Sequence, residues 1–274
     1  MPPFPIIIMT VEPDAQSTES LSLPPETPVV LMLLGASNLA RGCFALGRHL
    51  KRCLHPRRVE VMIAAGPGRG YHMPGGLLHV VYPPIRSSPI FEAAMEKSQS
   101  GARVVALVTD IGNDILYGVP EEDLIETLQQ IFTRLQSMRA EIFYTTIPQI
   151  FETGVHPALF HVLRTVLFPR SRVSYDQTQR AVGRINRFLK DAAKDPLRLV
   201  PDMDRFTGMD EIHYSVFRAS HAWMYMAERM LGPFGISVPR AITFPKMLRS
   251  YGQGLRKLVW TDFTGLKKNQ PNYY

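Results

Sequence analysis

Cysteine is scarce in this chain: Cys43 and Cys53 are the only two among 274 residues. On one helix they would stand about 15 Å apart, too far for a disulfide. No CxxC spacing occurs either. A disulfide scaffold and a zinc ribbon or finger are therefore excluded, and a reducing compartment is expected. Long hydrophobic runs are also missing. None reaches the roughly 18 residues a membrane helix needs. The apolar opening, residues 1–9, has no basic flank and meets Glu12 and Asp14 at once. Neither a transmembrane segment nor a secretion signal is expected, and a cytoplasmic location is.

Two stretches each lack one sign of charge. Residues 1–28 carry Glu12, Asp14, Glu19 and Glu26 and no Lys or Arg. Residues 241–274 carry Lys246, Arg249, Arg256, Lys257, Lys267 and Lys268 against Asp262 alone. The whole chain has a formal net charge of +7. A solvated surface arm is the plainer reading of the basic end, with an anionic partner as the alternative. Zinc-finger spacings and aromatic-basic sheet motifs are absent, so no nucleic-acid partner is expected.

What the chain does have is a globular composition. It is 45% apolar and 20% charged, enough at this length to build a full core. Residues 10–28 are rich in Pro, Ser, Thr and Glu and read as an extended lead-in. A continuous apolar run at 29–34 predicts a strand buried on both faces, and mainly apolar stretches at 59–65, 104–109, 141–147 and 197–200 predict four more. Helical periodicity at about 38–53, 121–139, 175–193 and 215–230 separates most of them. This alternation predicts a three-layer α/β/α fold with a five-stranded parallel sheet. Irregular excursions are expected at 71–90 and 149–172, the second with a short helix at 157–167. Beyond Pro239 no clear periodicity remains. The expected organisation is a lead-in at 1–28, one catalytic domain at 29–235 and a basic arm at 236–274.

Chemistry-bearing residues fall at the carboxyl ends of the predicted strands, where open parallel sheets bind ligands. Ser37 follows the first strand in Gly35-Ala36-Ser37, at the start of a helix with free N–H groups. As a nucleophile it needs a base. Of eight histidines, His213 alone lies in a loop between the last strand and the last helix. Asp210, three residues earlier, is placed to curl back onto its Nδ1. Asn113 follows the third strand, where its amide suits an oxyanion. Asp114 beside it suits backbone N–H groups of a turn. A glycine cluster, Gly66, Gly68 and Gly70, follows the second strand. Tyr71 stands where a dinucleotide fingerprint needs glycine, so no nucleotide cofactor is expected.

These blocks, in this order, resemble the SGNH or GDSL hydrolase superfamily over about residues 29–231. The resemblance implies a flavodoxin-like sheet and Ser37, Asp210 and His213 as catalytic residues. It also implies an oxyanion hole from the Ser37 N–H, a glycine N–H and Asn113. Gly68 is chosen for the glycine, with Gly70 the alternative. The family's Gly-Asp-Ser is Gly35-Ala36-Ser37 here, and its Gly-x-Asn-Asp is Ile111-Gly112-Asn113-Asp114. The activity implied is hydrolysis of an acyl ester of a small molecule, lipid or carbohydrate, without metal or cofactor. Acyl transfer to a sugar or other alcohol, and a non-catalytic scaffold, are the alternatives. Tyr71 and Tyr117 are candidates for the cleft wall, and Phe151, Phe160 and Phe168 for an apolar lid or for small satellite cores. Arg41, Arg69 and Arg86 are expected at the solvated surface, with contact to an anionic group as the alternative.

Overall fold

The computed structural model describes residues 21, 23–77, 79–149, 160, 164–165, 168, 171–264 and 272–274. Most of the expected lead-in, and the short helix expected at 157–167 with Phe151, lie outside these residues apart from Phe160, Arg164 and Thr165. The chain runs β1 (Val29–Gly35), α1 (Ser37–Cys53), β2 (Val59–Ala65), β3 (Gly75–Leu77), β4 (Val80–Tyr82) and α2 (Ile90–Gln99). It continues β5 (Arg103–Val108), α3 (Asn113–Leu116), α4 (Glu121–Ser137), β6 (Glu141–Tyr144), α5 (Tyr175–Asp191) and β7 (Leu197–Leu199). It then forms α6 (Ala219–Leu231) and α7 (Phe244–Lys257), followed by a π-helical turn, Leu258–Phe263.

Five strands form one parallel sheet in the order β2-β1-β5-β6-β7. This is the flavodoxin-like arrangement, with the order reversing at β1. All seven residues of β1 are buried, as befits a central strand covered on both faces. Its side chains alternate. Val30, Met32 and Leu34 join a core against α2, α4 and α5. Val29, Leu31 and Leu33 join the core against α1 and α6. The three layers thus follow from the period of two along a strand.

Local signals account for several helix ends. Ser174 and Gln177 form a capping box at the start of α5. Glu121, Glu122 and Asp123 occupy the first turn of α4, where negative charge suits the helix dipole. Helix α1 packs so closely on α6 that a Cβ at Gly42 would sit 2.1 Å from the Trp223 indole.

The elements differ from the sequence reading in several places, one of them helix α2, which lies where no helix was expected. The excursion at 71–90 contains the antiparallel hairpin β3–β4. The loop at 110–120 contains the short helix α3, and the fourth large strand ends at Tyr144 rather than 147. Beyond Pro239, α7 packs along α1: Ser250 Oγ donates to the Arg41 carbonyl (2.8 Å) and accepts from the Ala45 N–H (3.2 Å). Residues 272–274 then join the free edge of β2, with Ile63 N donating to Asn272 O and Tyr274 N donating to Ile63 O. Among the described residues no helix is long and apolar enough to cross a membrane.

Candidate active site

The site lies at the carboxyl edge of the sheet. Ser37 is the first residue of α1, directly after β1. His213 lies in the loop between β7 and α6. Its Nε2 is 2.9 Å from Ser37 Oγ, and its Nδ1 is 2.6 Å from Asp210 Oδ2. The other Asp210 oxygen accepts the backbone N–H groups of Ile212 (3.2 Å) and His213 (2.9 Å). The loop is therefore wound around its own carboxylate. Burial alone would raise the Asp210 carboxyl. The His213 ring and the two N–H groups outweigh it and hold the group at about 2. With Asp210 on Nδ1, the Nδ1–H tautomer is favoured and Nε2 is left as the acceptor for the serine proton.

Two residues that the sequence reading gave no role hold this geometry. Ala36 stands at the N-cap of α1 and offers no side-chain acceptor. Asp110, two residues past the end of the neighbouring strand β5, takes over the task. Its Oδ2 accepts the N–H groups of Ala36 (3.0 Å) and Leu39 (2.9 Å). Its Oδ1 accepts from Asn38 Nδ2 at 3.0 Å. Asn38 in turn donates to the Ile212 carbonyl (3.1 Å) and accepts from Tyr214 N (2.9 Å). One buried amide thus ties the serine turn to both sides of His213. Asp110 adopts a left-handed φ of 59°, a conformation asparagine and aspartate tolerate better than most residues. The sequence signal for this was negative: an N-cap position with no capping side chain.

Gly68 and Asn113 face the same space. Gly68 has φ +72°, and a Cβ there would sit 2.4 Å from the Gly76 carbonyl oxygen, so only glycine fits. Its carbonyl accepts the Tyr117 hydroxyl at 2.6 Å. Among the described residues neither Gly68 N–H nor Ser37 N–H has a protein acceptor. Asn113 donates one amide hydrogen to the Arg69 carbonyl at 3.0 Å, and its second hydrogen remains available. Gly70 does not border this space. It packs against Asp114, whose buried carboxylate accepts the N–H groups of Tyr71, His72 and Met73.

Ser37, His213, Gly68 and Asn113 border one cavity of about 160 Å³. Its far walls are mostly apolar, with Ile115, Ile147, Phe168 and Val182 among them. Asp210 stands behind the imidazole. Two expectations about the walls are corrected. Tyr71 is fully buried, its hydroxyl directed at the Leu34 and Thr109 carbonyls, and it does not reach the cavity. Tyr117 holds the Gly68 turn from outside, accepting also from Gly76 N. Arg69 is not solvated either. It is buried, donates to the Pro83 and Tyr274 carbonyls, and burial lowers it to about 10. Among the described residues no group of three or more His, Cys, Asp or Glu is arranged to hold a metal ion.

No protein-family model matches the chain, and no curated protein does. Solved structures do. The chain is similar to a psychrotrophic esterase, EstA, from Pseudoalteromonas sp., at 12% identity over 74% of this chain and 97% of that one, with a TM-score of 0.44. It is similar to a family 3 carbohydrate esterase of Clostridium thermocellum at 12% identity, covering 76% and 98% of the two chains, TM-score 0.42. A third, TesA, is 16% identical over 75% and 99%, TM-score 0.42.

Proposed function

We propose that the protein is a serine hydrolase that cleaves an acyl ester through an acyl-enzyme intermediate, in the manner of the SGNH hydrolases. The observation that carries the reading is the hydrogen-bonded chain Ser37 Oγ–His213 Nε2 (2.9 Å) and His213 Nδ1–Asp210 Oδ2 (2.6 Å), with the serine bordering a cavity. It joins residues 176 positions apart, which no local turn accounts for.

His213 takes the proton from Ser37 as its oxygen attacks the ester carbonyl carbon. The developing oxyanion is met by the N–H groups of Ser37 and Gly68 and the free amide hydrogen of Asn113. The imidazolium, stabilised by Asp210, protonates the departing alcohol. It then removes a proton from water, which attacks the acyl-serine and restores the free hydroxyl. Every proton is carried by His213. Transfer of the acyl group to another alcohol in place of water would use the same steps, and no feature of the site favours it.

Replacing Ser37 by Ala should lower kcat on a short-chain aryl ester on the order of 10^4-fold or more. Asn113→Ala should cost about 100-fold, chiefly in kcat, because its donor acts on charge present only in the transition state. A Ser37→Ala protein that keeps wild-type turnover would end the proposal.

A further inference from the structure

Ser37 borders two cavities. The second, of about 550 Å³, shares Ser37, Arg41, Pro67 and Leu77 with the first and extends to the opposite end, toward α7 and the π-helical turn. We propose that this second cavity receives an apolar arm of the ester. On the hydrolase reading above, on which this rests, the substrate then has substantial apolar groups on both sides of the bond that breaks.

Four observations support it. First, the outer wall is built in place. Ser250 is locked to α1 by two hydrogen bonds, and Gly254 lies so close that a Cβ would be 2.8 Å from the Ala40 carbonyl oxygen. Second, the charges at the inner end neutralise each other. Lys257 Nζ pairs with Asp262 at 2.8 and 2.9 Å, and Tyr82 donates its hydroxyl to the same carboxylate at 2.7 Å. The rest of the lining is mainly apolar, with Ala65, Leu77, Tyr251, Leu255 and Leu258, and Arg41 stands as a further charge on the Ser37 side, exposed to solvent. Third, Leu255 and Val216 stand at this cavity with 62% and 43% of their surface exposed. An apolar ligand arm would cover them.

Fourth, Gly252 has no packing reason to be glycine. A Cβ there meets nothing within 4 Å, in contrast to Gly254 on the same helix. Glycine is a poor helix former, so its presence in α7 costs stability for no local contact. It borders the cavity at an exposed position, where a side chain would meet no protein atom within 4 Å of its Cβ.

The test uses the full chain and two ester series. One varies the acyl chain from acetate to decanoate on a fixed alcohol; the other varies the alcohol on a fixed acetyl group. In the wild type, kcat/KM should rise along at least one series by about fourfold for each methylene that enters the cavity. Gly252→Phe adds a ring at the cavity's border without a clash at Cβ. It should lower the ratio of long-chain to short-chain kcat/KM at least tenfold. Leu255→Asp, at an exposed position, should lower it in the same direction. A ratio unchanged in both variants and both series overturns the proposal.

A second readout does not depend on turnover. Decyl acetate and ethyl decanoate are titrated calorimetrically into Ser37→Ala and into Ser37→Ala/Gly252→Phe. Weaker binding of either ester by the double variant supports the cavity even if no ester is hydrolysed, in which case the hydrolase reading alone fails. Equal or absent binding in both proteins overturns the cavity proposal. Hydrolysis with no change in chain-length ratio overturns it while leaving the hydrolase reading intact.

Discussion

Asp210 shows how one carboxylate is held ionised by its own loop. Two backbone N–H groups and the His213 ring converge on it within four residues. They keep it at about 2 against the opposing effect of burial. An unfolded aspartate titrates near about 3.9. A carboxyl depressed in the fold stabilises the folded state above that value and loses the contribution as pH falls toward 2. The melting temperature should therefore drop between about pH 4 and 2, and part of that drop should vanish in Asp210→Asn. Asp210 is partly exposed, so solvent screening keeps the difference small. Calorimetry across that range checks it; parallel curves for the two proteins would show that Asp210 contributes nothing to the acid limb. At this scale the sequence was readable where partners were local. The spacing of Asp210 and His213 implies their contact. Arg69 and Tyr71 were misjudged because their polar ends find carbonyls on other segments, which no local spacing displays.

At the scale of elements, the decisive feature is the start of α1. Its first N–H groups would be orphans behind Ala36, and Asp110 satisfies two of them from a strand end 71 to 74 residues away. The same carboxylate anchors Asn38, hence both the serine turn and the histidine loop. Asp110→Ala removes three hydrogen bonds and should cost about 1–3 kcal/mol. That corresponds to a fall in melting temperature of roughly 2–4 °C per kcal/mol for a chain of this size. Asp110→Asn should fall between the two. Its carbonyl can cap the helix, while its NH2 meets the Asn38 NH2 as donor against donor. Thermal melts of the three proteins give the order, and an alanine variant as stable as wild type would contradict this account of the cap. The five strands of the sheet were legible because each is mainly apolar, the three central ones being buried almost throughout and the edge strands β2 and β7 only in part. The hairpin β3–β4 was not, since its strands are three residues long and one of them is Gly-Gly-Leu. Helix α7 was not legible either. Only Met247 and Ser250 are buried on it, one of them polar, and Gly252 and Gly254 interrupt its apolar stripe.

At the scale of the whole molecule, the parallel sheet collects what the sequence scatters. Because β1, β2 and β5 run the same way, the residues after each one emerge at one edge. Ser37 follows β1, Gly68 follows β2 and Asn113 follows β5. His213, in the loop beyond β7, reaches back across that edge to the serine. The strand order places β1 in the middle, between β2 and β5, so Ser37 emerges between the other two. This convergence was legible in outline, from strand ends alone. The second cavity was not, because its wall comes from residues past 240 that carry no such pattern. The account as a whole turns on whether Ser37 is nucleophilic. Incubation of the full chain with an alkyl fluorophosphonate, followed by peptide mass mapping, measures that directly. The prediction is a single phosphonyl adduct on Ser37, lost in His213→Ala and formed in step with loss of ester turnover. An unmodified Ser37 in a protein that still turns over esters would contradict it.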